Sequence, residues 1–215
     1  MMPLEAIKEF APQGIILSGG PRSVYEAEAP TITPEVFDLG LPVLGICYGI
    51  QLLNHLLGRP LAPSDNREYG RKTFLITDTQ DLFFGLDPRE TVWMSHGDRV
   101  EELAPGFEVI GSSDSCPVGA IRDRTRRLYG VQFHPEVHHT PRGKEILSNF
   151  LFRICGLKPL WTMASFIEAA TRTMRRQVGE GRVICALSGG VDSSVTAVLL
   201  HRAVGDRLSC VFVNN

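Results

Sequence analysis

The sequence predicts an α/β protein built on a mostly parallel, open sheet. Three observations predict it. Short apolar runs alternate with helix-period segments from Gly14 onward, the rhythm of a parallel α/β sheet. Two of these runs end in glycine-rich turns, Gly19-Gly20-Pro21 and Gly45-Ile46-Cys47-Tyr48-Gly49. The same rhythm restarts near Val183, where strand, Gly-Ser loop, helix and strand follow one another.

The elements justify themselves in order. Met1 to Ala11 has a short helical pattern, and Gly14 to Ser18 is an apolar, β-branched run typical of a buried strand. Pro30 and Pro34 punctuate the path to Glu35–Leu39. Val43 to Ile46 is a strand, and a helix follows with Ile50, Leu53, Leu56 and Leu57 on one face and Gly58 as its stop. Leu61 to Ile76 reads as a loop entering a strand at Lys72, Leu82 to Leu86 is apolar but short, and Thr91 to Met94 is a further strand. Phe107–Gly111 and Val118–Ile121 read as antiparallel partners, and Leu128 to Phe133 as a strand ending at His134. Lys144 to Cys155 is a helix by its apolar spacing and closes a first domain. After the boundary at Gly156–Pro159 come a helix over Thr162–Val178, a strand over Val183–Leu187, a loop over Ser188–Ser194, a helix over Val195–Val204 and a strand over Leu208–Val213.

Composition excludes several classes. The chain has 215 residues, 43% of them hydrophobic, and a formal net charge of -2 from 22 basic and 24 acidic side chains. That balance gives no electrostatic footprint for nucleic acid. No apolar run is long enough to span a bilayer, and Met1 to Phe10 has no signal-peptide core. Five cysteines without a CxxC pair read as reduced thiols, hence a cytoplasmic protein.

Cys47 is the centre of the reading. A cysteine between glycines, at a strand-to-helix turn, has the layout of a nucleophile elbow. The helix N-terminus favours thiolate there, and the Tyr48 N–H is free to face a developing oxyanion. The competing reading is a small buried hydrophobe. His134 and Glu136 supply what such a nucleophile needs, a base and a group to orient it. His134, Glu136, His138 and His139 also cluster as metal ligands do, but no second ligand cluster completes a site. Arg172, Arg175 and Arg176 read as the solvated face of a helix.

Gly-Gly-Pro after a strand, Gly-x-Cys-x-Gly-x-Gln and Gly-Val-Gln-Phe-His-Pro-Glu, in this order, resemble the class I (triad) glutamine amidotransferases. The resemblance implies a flavodoxin-like sheet and glutamine hydrolysis. Cys47 would form a γ-glutamyl thioester, His134 would shuttle protons and Glu136 would orient it. The N–H groups of Gly20 and Tyr48 would bind the oxyanion. Gly19, Gln51, Ser95, His96, Gly97 and Asp98 would hold glutamine or shape its pocket. Ser188-Gly189-Gly190-Val191-Asp192-Ser193-Ser194 resembles the PP-loop of ATP pyrophosphatases, which implies ATP binding with Asp192 near Mg2+ and no tightly bound cofactor.

The two signatures in this order, with Met-Ser-His-Gly-Asp at 94–98, are similar to the glutamine-hydrolysing GMP synthases. That family implies ammonia transfer to xanthosine 5′-monophosphate (XMP), with glutamine and ATP as further substrates and a homodimer formed through a C-terminal domain. Another glutamine-dependent ligase and a non-catalytic binding fragment are the alternatives. The expected layout is an amidotransferase domain over 1–156, a linker and helix over 157–180 and the opening of an ATP pyrophosphatase domain over 181–215. The family's Asp-Phe-Gly strand and first helix have no counterpart before Gly14, its C-terminal part has none after Asn215, and Asn214 stands where the family often has Asp. The expectation is therefore a piece of the enzyme, lacking one strand of its sheet, that does not make GMP by itself.

Overall fold

The computed structural model describes residues 2–59, 68–159 and 162–212. The loop expected from Leu61 lies largely outside them, as do Val213 and Asn214. The chain divides into two compact units, Met1–Lys158 and Pro159–Asn215.

The first unit opens with α1 (Leu4–Phe10) and β1 (Ile15–Leu17), then a 3-10 turn over Pro34–Leu39, β2 (Val43–Ile46) and α2 (Tyr48–Leu56). It continues through β3 (Glu68–Ile76), β4 (Arg89–His96), β5 (Glu108–Ser112), β6 (Ala120–Asp123), β7 (Leu128–Val131) and α3 (Gly143–Ser148). Its seven strands form one sheet in the order β1-β2-β7-β6-β5-β3-β4. The α/β class is as expected, but the parallel part is smaller. Among the described residues of this sheet, β1-β2 and β2-β7 pair in parallel and the other pairings are antiparallel. The reason is in the connections. β5, β6 and β7 follow one another through short turns, and no crossover helix separates them.

Side chains alternate even along the fully buried strands. Val43 and Leu128 enter one apolar cluster with Ile50 and Leu53 of α2. Leu44, Ile46, Tyr129 and Val131 enter the other, with Ile146 of α3 and Phe150 beyond it. Each fully buried aliphatic side chain contributes roughly 1.5–3 kcal/mol. Arg122 on β6 is 2% exposed and holds Asp78, Asp81 and Glu108 at 2.7–2.9 Å.

The helix expected over Lys144–Cys155 is α only to Ser148; Asn149–Ile154 is a π-helix. The change falls at buried Asn149, whose amide donates to the carbonyls of Leu82 and Phe84. Such wide turns are rare in regular helices, and apolar spacing does not reveal them.

The second unit holds α4 (Met163–Val178), β8 (Val183–Leu187), α5 (Val191–Val204), a short 3-10 turn and β9 (Leu208–Phe212). β8 and β9 are parallel, and Thr162 caps α4 through a capping box with Ser165. α5 starts at Val191, four residues before the expected Val195. Val191, Asp192, Ser193 and Ser194 are thus its first turn, with both serine hydroxyls donating back to the Gly190 carbonyl.

Candidate active site

The site stands at the carboxyl ends of β1, β2 and β7, where parallel sheets collect ligands. β2 and β7 place Gly45 opposite Gly130, and this pair makes room for the start of α2. A Cβ on Gly45 would lie 2.5 Å from the Gly49 backbone, and one on Gly130 would lie 2.5 Å from Ile50. Gly49 in turn rests on β1, where a Cβ would come within 2.0 Å of the Leu17 carbonyl oxygen. The chain can therefore turn from strand to helix within one residue, Cys47. That residue has φ 51 and ψ -102, a conformation that non-glycine residues rarely adopt and that clusters at functional sites. Its N–H is bonded to the Val131 carbonyl at 2.8 Å, which ties the elbow to β7.

Cys47 is buried, and its thiol donates to the Ser95 carbonyl at 3.5 Å, with the Gln132 amide 3.9 Å away. His134 follows β7. Its backbone N–H bonds the Trp93 carbonyl at 3.0 Å, and its own carbonyl accepts from Thr140 at 2.6 Å. Its Nδ1 lies 2.6 Å from Glu136 Oε1, so Nδ1–H is the donor and Nε2 is left for the cysteine. A hydrogen bond with Cys47, then one with Glu136, outweighs burial and raises His134 to about 10. Burial acts to raise Glu136; the bond to His134 outweighs that and holds the carboxylate below its ordinary range. Gly19 sits against both partners. A Cβ there would be 2.9 Å from His134 Cε1 and 3.6 Å from Cys47 Cβ.

These residues face a cavity of about 540 Å³. Gly20, Cys47, Gln51, Ser95, His96, Gly97, Asp98 and His134 all line it, so the sequence-chosen residues of the first unit come together. Of the other chosen residues, Gly19 and Glu136 lie against His134, and Tyr48 is not on the wall. Its phenol bonds the Pro30 carbonyl, while its N–H heads α2, where the helix offers no acceptor. Gln51 acts on the wall itself, donating to the Asp98 carbonyl at 2.7 Å. His96 turns inward. Its Nδ1 is 3.1 Å from the Asp98 carbonyl and its Nε2 is 3.2 Å from Glu68.

Further residues at the site went unselected by sequence. Pro21, Arg22, Ser23, Glu26 and Tyr69 line the cavity, and Gln132 is wholly buried beside Cys47 and Gln51. Gln132 carried a readable signal, since it lies two residues before His134 in the same motif. Among the described residues, the side chains grouped closely enough to share a cation are Glu68, His96 and Cys116; His134, Glu136, His138 and His139, neighbours in sequence, are not such a group.

In the second unit, Ser188 to Ser194 runs from the end of β8 into α5. Gly189 has φ 81, and the Ser188 and Ser193 hydroxyls are 3.3 Å apart. The loop therefore sets backbone N–H groups at a helix N-terminus, where phosphate can be held, while the Ser193 and Ser194 hydroxyls turn back to Gly190.

Residues 2–154 match the family described as Glutamine amidotransferase class-I, and residues 181–215 match the tRNA methyl transferase HUP domain. A curated GMP synthase [glutamine-hydrolyzing] of Carboxydothermus hydrogenoformans is 54% identical over 99% of this chain and 42% of its own length. That of Staphylococcus carnosus is 55% identical over 99% of this chain and 41% of its own. The chain thus spans well under half the length of these relatives. A solved structure from Thermoplasma acidophilum, described as a candidate subunit of a GMP synthase, aligns with a TM-score of 0.58 and 30% identity, covering 77% of this chain and 80% of that one. A strained cysteine elbow, a histidine held by a glutamate and a family match over most of the chain agree: this protein belongs to the class I glutamine amidotransferases.

Proposed function

We propose that the first unit releases ammonia from glutamine and that, in the whole protein, this ammonia converts XMP to GMP. The observation that carries the first step is Cys47 on its strained turn beside His134, with which it flanks Gly19 and lines one cavity, and whose ring Glu136 orients. Cys47 Sγ attacks the carboxamide carbon of glutamine. The carbonyl oxygen takes the negative charge, which the N–H groups of Gly20 and Tyr48 receive; losing one such donor costs about 2.7–4 kcal/mol of barrier. His134 gives its proton to the departing nitrogen, ammonia leaves and a γ-glutamyl thioester remains. Water then loses a proton to His134, attacks the thioester and returns glutamate and free thiol. Gln51 and the Ser95–Asp98 turn hold the pocket's shape.

The second step follows from the second unit. Residues 188–194 would grip ATP phosphates, with Mg2+ entering as the metal of the ATP substrate. Asp192, an exposed carboxylate in the first turn of α5, is a donor of the hard-oxygen kind that Mg2+ takes. The XMP carbonyl oxygen attacks the α-phosphate, pyrophosphate leaves, and ammonia displaces AMP to give GMP. The GMP synthase names of relatives about 55% identical, across both units, support this acceptor over others. Residues 1–156 act in this reading as the amidotransferase domain, and 181–215 as the start of the ATP pyrophosphatase domain. The site is cytoplasmic and the whole enzyme dimeric.

The test is glutamate release by the purified chain and by Cys47→Ala, with mass analysis after treatment with diazo-oxo-norleucine. A single adduct on Cys47 and glutamate release lost in Cys47→Ala support the reading. Labelling of another cysteine in its place, or unchanged glutamate release by the variant, overturns it.

A further inference from the structure

Below the cavity wall lies a buried pair that the chemistry above does not use. Glu68 on β3 and His96 on β4 are opposite each other in register. Both side chains are almost wholly buried, at 4% and 2% exposure, with Glu68 Oε2 3.2 Å from His96 Nε2. Neither atom has an aligned hydrogen bond. The other ring nitrogen settles the tautomer. Nδ1 faces the Asp98 carbonyl at 3.1 Å, and a carbonyl only accepts, so Nδ1 carries a hydrogen. In a neutral imidazole Nε2 is then a bare acceptor facing a carboxylate oxygen. Two buried acceptors at that distance need a cation or a proton between them.

The surroundings speak against a cation, which leaves the proton. Cys116 is the third group close enough for a cation, but its thiol donates to the Val118 carbonyl at 3.5 Å and burial pushes it up to about 12. Glu68 Oε1 already receives the Ser115 hydroxyl and has the Lys72 ammonium at 3.8 Å. Burial, with a smaller contribution from His134, holds His96 below its ordinary range against the opposing pull of Glu68 and the Asp98 carbonyl, and Arg99 acts on Cys116. His96 itself supplies part of the cavity wall, and Asp98, bonded to its ring, also receives Gln51.

We propose that Glu68 is a positioning residue of the site: its buried carboxylate shares one proton with His96 Nε2 and so fixes the Ser95–Asp98 turn against Cys47 and Gln51. The role in catalysis rests on the cavity being the glutamine pocket; the shared proton does not. The two are therefore tested apart. Ring nitrogen NMR of the wild-type chain at neutral pH reads the proton directly and needs neither turnover nor a variant. The expected result is a protonated Nδ1 and an Nε2 displaced from the position of a bare lone pair. Glu68→Ala moves Nε2 to the bare position, while Glu68→Gln, whose amide donates to Nε2, keeps it hydrogen-bonded. In the glutaminase assay, Glu68→Ala raises the KM for glutamine about tenfold with kcat little changed, and Glu68→Gln restores most of it. A bare Nε2 in the wild type overturns the proposal, as does one equivalent of zinc retained through purification. A loss confined to kcat overturns the positioning role.

Discussion

Replacing Gly49 with alanine tests whether the elbow's geometry creates the site. The new Cβ would lie 2.0 Å from the Leu17 carbonyl oxygen, 2.8 Å from its carbon and 2.9 Å from its Cβ. Non-bonded atoms do not approach a Cβ closer than about 3 Å, so α2 and β1 must separate by about 1 Å. The obstacle is backbone, so no side chain can rotate away. Overpacking of this kind costs about 1–3 kcal/mol, which leaves a unit with two apolar clusters folded. The larger effect is at Cys47, two residues away, whose distance to His134 shifts with the helix. A misplacement of about 1 Å can cost about 100-fold in rate. The assay is the second-order rate of Cys47 labelling by diazo-oxo-norleucine, with circular dichroism melting on the same samples. The expectation is a drop approaching that size together with a modest fall in Tm. A Gly49→Ala protein that melts lower but labels within about threefold of wild type would show that the contact serves packing alone, and the reasoning from the elbow would fail.

The Cys47–His134 pair makes stability depend on pH with a definite sign. His134 is raised from 6.5 to about 10 in the folded chain, so its contribution is fully present below about pH 6.5 and disappears as pH rises through about 10. The Tm difference between wild type and His134→Gln therefore shrinks across that window; a constant difference contradicts the pairing. Arg122→Met removes the guanidinium that Asp78, Asp81 and Glu108 surround, and urea denaturation is expected to lose about 3–5 kcal/mol. A loss under about 1 kcal/mol would mean that water already serves those carboxylates.

The linear sequence determined the pieces whose cause is local. Apolar runs set the strands, helix-period spacing set α2 and α4, and glycines on either side of Cys47 announced a sharp turn. His134 and Glu136 were legible because two residues on one loop are neighbours whatever the fold does. The loop over 188–194 was legible for the same reason, although the start of α5 was not. Serine hydroxyls that bond back to Gly190 extend the helix into what reads as loop.

Only the tertiary structure decided the rest, because it depends on residues far apart in the chain. The antiparallel half of the sheet follows from which strands find each other. Apolar alternation alone does not reveal a partner's direction. Cys47 meets the Ser95 carbonyl although 48 positions separate them in the chain. Glu68 gave no signal at all; a glutamate on a strand ordinarily faces water. It becomes part of the site because β3 and β4 align it with His96 in a place water does not reach. Sequence supplied the reactive groups, and strand register decided which of them share a proton.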